Sequence, residues 1–133
     1  MLFEHKYLFS KRMEMRDITQ QIKDDLYKSS IKEGIVVIYT PHTTAGITIN
    51  ENADPDVVRD MLNGFERCFP THHPDYHHFE GNSHAHMKST VFGASQTLIV
   101  HEGKIILGTW QSVYLCEFDG PRERTFYVKI LEG

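Results

Sequence analysis

The C-terminal third of this chain leaves the fold least freedom. Thr97 to Val100, Lys104 to Leu107, Val113 to Phe118 and Thr125 to Ile130 are runs rich in β-branched and aromatic residues, each too short for helical periodicity. His101-Glu102-Gly103 separates the first two runs and Asp119-Gly120-Pro121 the last two, so each pair reads as a β-hairpin. Strands joined in this way pair antiparallel, and their apolar faces must be covered by whatever the rest of the chain supplies.

The cover is helical in part. From Asp17 the apolar positions Ile18, Ile22 and Leu26 recur every four residues, with Gln20, Gln21, Lys23, Asp24 and Asp25 between them, giving one apolar stripe on an otherwise wet helix. Asp54-Pro55 starts a second helix, with an acceptor at the cap and proline in the first turn. Val58, Met61, Leu62 and Phe65 follow at i, i+3, i+4 and i+7, so this helix should bury one face, and Cys68 and Phe69 prolong it to Pro70. Ser83 is placed to cap a short third helix through Phe92, which Gly93 stops. Leu2 to Ser10, Ile35 to Tyr39 and Ala45 to Asn50 read as further strands, with Pro41 interrupting between the last two. The class expected is α+β with mainly antiparallel pairing, in a single domain spanning 1–133, since that length fills one core and not two.

Charge narrows the functions. Lys plus Arg number 14 against 18 for Asp plus Glu, a net charge of -4, which excludes the broad basic field of a non-specific nucleic-acid binder. The start, MLFEHKYLFS, carries Glu4, His5 and Lys6 where a signal peptide needs an apolar region, and no run is long and apolar enough to span a bilayer. The reading is a cytoplasmic protein with no membrane partner. Cys68 and Cys116 fall in apolar patterns and are expected as reduced, buried thiols. Trp110 is expected in the core.

The abnormal feature is histidine. Six of the nine lie between positions 72 and 86 (His72, His73, His77, His78, His84, His86), and His42 follows Pro41 at a strand end. Three neutral imidazoles with an open fourth position make a catalytic metal sphere, although without an HExxH or paired CxxC a solvated His-rich loop fits the same residues. Helical positions i and i+2 point about 200° apart, so His84 and His86 cannot both ligate one ion, and His77 and His78 pose the same alternative. In Asn50-Glu51-Asn52-Ala53-Asp54-Pro55-Asp56, capping accounts for Asp54, whereas Glu51 has no structural task and is a binding candidate. Glu80 is either exposed or a partner to an imidazole. Lys88 and Ser89 near the start of the third helix, with Arg122 and Arg124 beyond the second turn, suit a phosphate, the two arginines sharing a face if their strand is regular. Ordinary salt bridges are the alternative. No GxSxG, Walker or GxGxxG motif occurs.

Taken together, Pro41-His42-Thr43-Thr44-Ala45-Gly46, Asn50-Glu51-Asn52-Ala53-Asp54-Pro55, His77 through Glu80-Gly81-Asn82 to His86-Met87-Lys88-Ser89, Gly108-Thr109-Trp110-Gln111 and Gly120-Pro121-Arg122-Glu123-Arg124 resemble the secondary thiamine-phosphate synthase (YjbQ-like) family. The blocks lie in order over essentially the whole chain. The resemblance implies an α+β domain with a largely antiparallel, β-sandwich-like sheet and two to three helices, assembled as a homotrimer with sites near subunit boundaries. It also implies a divalent metal ion, zinc foremost, on His42, His77 and His86, which leaves His72, His73, His78 and His84 on the surface or in support. The activity it implies joins a hydroxymethylpyrimidine diphosphate to a thiazole phosphate with loss of pyrophosphate, as a secondary activity. Glu51 or Asp54 would assist the ion while Lys88 and Arg124 neutralise phosphate. The Asp-rich magnesium site of dedicated synthases is not visible. The alternatives are a metal-dependent hydrolase of another phosphorylated metabolite and a trimeric metal- or ligand-binding protein without turnover.

Overall fold

In the computed structural model, which describes residues 1–133, the elements run β1 (Leu2–Leu8), β2 (Glu14–Asp17), α1 (Thr19–Ser29), β3 (Gly34–Tyr39), β4 (Ala45–Glu51), α2 (Pro55–Cys68), α3 (Ser83–Phe92), β5 (Ser95–His101), β6 (Lys104–Ile105), β7 (Gln111–Glu117) and β8 (Glu123–Glu132). They form a five-stranded sheet in the order β1-β8-β3-β5-β6 and a three-stranded sheet in the order β2-β7-β4. Every pairing is antiparallel. Alternation along the strands builds the main core, in which Val36, Ile38, Val100, Phe126, Val128 and Ile130 of the large sheet meet Ile47, Val113 and Leu115 of the small one. Ile18, Ile22 and Leu26 close one side of it, as their spacing requires. Asp17 Oδ1 accepts from the Thr19 N–H at 2.9 Å, while Ile18, at the cap position of α1, makes no side-chain cap bond. On the other face of the small sheet, Met15, Tyr114, Cys116 and Phe118 pack with Ala85 and Phe92 of α3, and α2 lays Val58, Met61, Leu62 and Phe65 against them. No helix is long and apolar enough to cross a membrane.

Several expectations need correction. The β5–β6 hairpin forms, with Glu102 and Gly103 both at positive φ (51° and 76°), but the second expected hairpin does not. β7 and β8 lie in different sheets because both edges of each are already taken, by β2 and β4 in one case and by β1 and β3 in the other. Residues 119–122 therefore cross between sheets. β2 escapes a pattern search because it holds one buried apolar residue, Met15. Ser83 is the first residue of α3, with Asn82 at the cap position and no side-chain cap bond. Asp25 is not on a wet face; it is 1% exposed, and His5 Nε2 lies 2.6 Å from its carboxylate. α2 keeps its apolar stripe only half-buried, and Cys68 at its end is exposed, whereas Cys116 is buried. Trp110 is 63% exposed in the turn before β7. Glycine is obligatory at Gly34 (φ +154°), where a Cβ would sit 1.9 Å from the Leu131 carbonyl oxygen.

Candidate functional site

The His-rich segment between α2 and α3 is polar and largely exposed, yet both its ends are tied to the fold. At the first end, Thr71 donates from its backbone N–H (2.6 Å) and its hydroxyl (2.9 Å) to the Glu66 carboxylate on α2. Lys88 Nζ, on α3, donates to the same carboxylate at 2.8 Å and to His84 Nδ1 at 2.7 Å. At the far end, Asn82 Nδ2 donates to Asp119 Oδ2 at 2.8 Å, a carboxylate that Arg122 also holds at 3.1 Å. The loop is a strap fixed at both ends.

Between those anchors His77, His78 and His86 line one open cavity of about 450 Å³, together with Asp75, Tyr76, Ser83 and Met87. The His78 and His86 rings meet edge-on with centroids 5.5 Å apart. Tyr76 and His78 also wall an adjoining cavity of about 350 Å³, which His72 and His73 complete. α3 carries no acid in its first turn and no side-chain cap, and its first residue, Ser83, lines the first cavity, whose one acid is Asp75.

Helix geometry separates His84 from His86 as the spacing argument requires. His86 lines the cavity, while His84 is buried on the inner side of α3 against Lys88. Burial, and then the Lys88 ammonium, lower the His84 pKa to about 4, so the ring is neutral and accepts at Nδ1. Burial pushes the Glu66 carboxyl up, but hydrogen bonds from Lys88 and Thr71 outweigh it and bring its pKa down to about 2. Lys88 itself is fully buried, and burial lowers its pKa against the pull of Glu66. In this chain Lys88 binds Glu66 and His84 and does not line the imidazole cavity.

A second constellation joins the two sheets where the chain crosses from β7 to β8. Arg124 points inward from β8 and donates to both oxygens of the fully buried Glu117 on β7, at 2.7 and 2.5 Å, and to the Thr44 hydroxyl at 2.7 Å. Its guanidinium is therefore engaged inside the protein. Arg122 precedes β8, stays exposed and pairs with Asp119, so the two arginines do not form one anion site in this chain. His42 Nε2 accepts the Thr125 N–H at 3.0 Å. Because Nε2 accepts, the ring proton lies on Nδ1, and burial, then the Arg124 charge, lower the His42 pKa in the same sense. Here His42 presents an N–H donor, and it is not among the residues lining the cavity of His77 and His86. Glu51 and Asp54 also lie outside that cavity. The Glu51 carbonyl accepts the Tyr114 hydroxyl at 2.9 Å, and Asp54 caps α2 through the Asp56 N–H at 2.9 Å.

No group of three or more His, Cys, Asp or Glu side chains in the chain is arranged to hold a metal ion. His77 and His86 are brought together; His42 is not. Sequence reasoning missed Glu66 and Glu117. Glu117 did leave a signal, an acid inside the apolar run from Val113 to Phe118, whereas Glu66 left none.

Comparison with known proteins agrees with this architecture. The family model described as "UPF0047 protein YjbQ-like" matches residues 4–133. UPF0047 protein YugU of Bacillus subtilis is 57% identical over 122 residues, covering 92% of each chain. A UPF0047 protein of Methanocaldococcus jannaschii is 53% identical over 131 residues, covering 98% of this chain and 94% of the relative. Among solved structures, an uncharacterized conserved protein of the YjbQ/UPF0047 family from Clostridium acetobutylicum superposes with a TM-score of 0.95 at 50% identity, covering 97% of this chain and 99% of that one. A protein of unknown function from Sulfolobus solfataricus gives the same TM-score of 0.95 at 34% identity, covering 100% and 97%.

Proposed function

The chain belongs to the YjbQ-like (UPF0047) family, and from that premise we propose that it acts on a phosphorylated small molecule in the imidazole cavity, with thiamine phosphate formation as a secondary activity. The observation that carries this reading is the convergence of His77, His78 and His86 with the N-terminus of α3 on one open cavity. Unpaired N–H groups at a helix start and imidazole N–H groups are donors for phosphate oxygens. In the condensation, the bond from the pyrimidine methylene to the diphosphate oxygen breaks and the thiazole nitrogen captures that carbon. Charge gathers on the departing pyrophosphate, where such donors act.

A divalent metal ion, with zinc favoured by imidazole donors, would draw on His77 and His86 and supply Lewis-acid neutralisation of a phosphate oxygen. One chain brings only part of the set. His42 completes it where a neighbouring copy delivers it, in the homotrimer with boundary sites that the family resemblance implies, and it must then give up its bond to Thr125. Glu51 and Asp54 reach the ion only across the same boundary. Lys88 and Arg124 act as positioning residues, the first through Glu66 and His84, the second through Thr44 and Glu117.

The test is kcat/KM for thiamine phosphate formation by the metal-loaded protein beside a folded variant with His42, His77 and His86 all changed to Ala. We expect a value below the ordinary enzyme level of about 10⁴ per molar per second, lost in the variant. A rate indifferent to the three substitutions would overturn the assignment.

A further inference from the structure

A second cavity, of about 480 Å³, opens where α1 meets the β5–β6 hairpin, and it shares no residue with the imidazole cavity. Its floor is apolar: Leu26 and Ile105, both core residues, with Ile31 beside them. Its rim carries Lys23, Lys32 and Lys104, and Tyr27, 87% exposed, stands over it. No acid lines it, in a chain whose net charge is -4.

The carboxylates that flank these lysines in sequence have partners elsewhere. Asp24 accepts from Gln20 at 2.9 Å, and Asp25 is buried with His5. Glu33 holds His101 at 2.9 Å and the Glu102 N–H at 3.1 Å. None of the three ammonium groups enters an ion pair within the chain. The rim is also held in shape. The Gly103 N–H donates to the Lys32 carbonyl at 3.0 Å, and the Lys32 stem runs so close to Gly103 that a Cβ there would lie 3.1 Å from its Cδ. Three cations without counter-charge around an apolar floor, with an exposed aromatic ring at the edge, are complementary to one kind of ligand.

We infer that this cavity binds a small aromatic anion, a planar ring bearing a phosphate group, with the ring on Leu26, Ile31 and Tyr27 and the phosphate among Lys23, Lys32 and Lys104. Its volume lies in the range of about 300–1,000 Å³ typical of small-molecule sites. The inference does not depend on the function proposed for the imidazole cavity.

The experiment titrates 1-naphthyl phosphate into the ¹⁵N-labelled full chain and follows amide shifts, with 1-naphthol and inorganic phosphate as separate arms. Saturable shifts at Tyr27, Ile31, Lys32, Gly103 and Lys104 are expected, with either half-ligand binding at least about tenfold more weakly. Lys32→Glu with Lys104→Glu should weaken naphthyl phosphate by about tenfold or more, and Tyr27→Ala should weaken it without touching the charges. A folded His77→Ala, His86→Ala variant should bind as the parent does. Shifts centred on residues 72–86, equal binding by the charge-reversed variant, or inorganic phosphate binding as tightly as naphthyl phosphate would overturn the inference.

Discussion

Arg124→Met probes the buried ion pair that joins the two sheets. The substitution removes four hydrogen bonds, two to Glu117 and two to Thr44, and leaves the fully buried Glu117 carboxylate with the Asp119 N–H alone. Removing one partner of a buried ion pair costs about 3–5 kcal/mol, because the remaining charge is left without compensation in a poorly polarisable interior. An unfolding entropy of ~2.1 cal/mol/K per residue gives this 133-residue chain ~0.28 kcal/mol/K, so the thermal midpoint should fall by roughly 11–18 °C. Urea unfolding should show the loss in the midpoint concentration at unchanged slope. The double variant Glu117→Leu with Arg124→Met removes both charges, and it should recover much of the loss, giving a coupling of at least about 2 kcal/mol in a double-mutant cycle. Because burial and then the Arg124 charge hold the His42 pKa down, Arg124→Met should also raise it, which an NMR titration of the His42 ring reads directly. A cost under about 1 kcal/mol, or strictly additive single variants, would refute the account of Glu117 as a charge that depends on Arg124.

Three further predictions concern the histidine strap and the helices that anchor it. His84 titrates near 4 in the folded chain and near the ordinary 6.5 when unfolded, so as pH falls from 6.5 to 4 the unfolded chain takes up a proton that the folded one refuses. Stability should decline through that window, and His84→Gln should flatten the decline in melting curves collected against pH. Glu66, held near 2 against an ordinary 4.5, contributes stability above pH 4.5 that is lost as pH falls toward 2, and Glu66→Gln should abolish that part of the acid limb. Metal analysis after loading should find His77→Ala depleted and His78→Ala unchanged; equal depletion would overturn the assignment of His77 over His78 as the ligand.

Much of the backbone architecture could be read before folding because it rests on local periodicity. The four-residue recurrence of Ile18, Ile22 and Leu26 does place those residues in the main core, and Asp54-Pro55 does start α2. The helix spacing that separates His84 from His86 also holds, with one ring turned inward and the other lining a cavity. The failures share a cause. The partner of a strand edge is a long-range choice, so the turn at Asp119-Gly120-Pro121 read as a hairpin although β7 and β8 already had other neighbours. The depth of a residue is also decided at long range, which is why Asp25 is buried while Trp110 and Cys68 are exposed.

The sequence by itself determined the class with its mainly antiparallel pairing, the start of α2 and the concentration of imidazole between positions 72 and 86. Only the tertiary structure decided which charges are neutralised. Glu117 and Arg124 lie on strands of different sheets, and Glu66, Thr71 and Lys88 on two helices and the loop between them, so their pairing exists only once the sheets close and the helices dock. Those contacts turn Lys88 and Arg124 from free cations into supports, and they leave His77, His78 and His86 facing an open cavity. The physical reason is one of range: periodicity and capping act over a few residues, whereas burial and ion pairing are set by whatever the folded chain brings across a gap of a few ångströms.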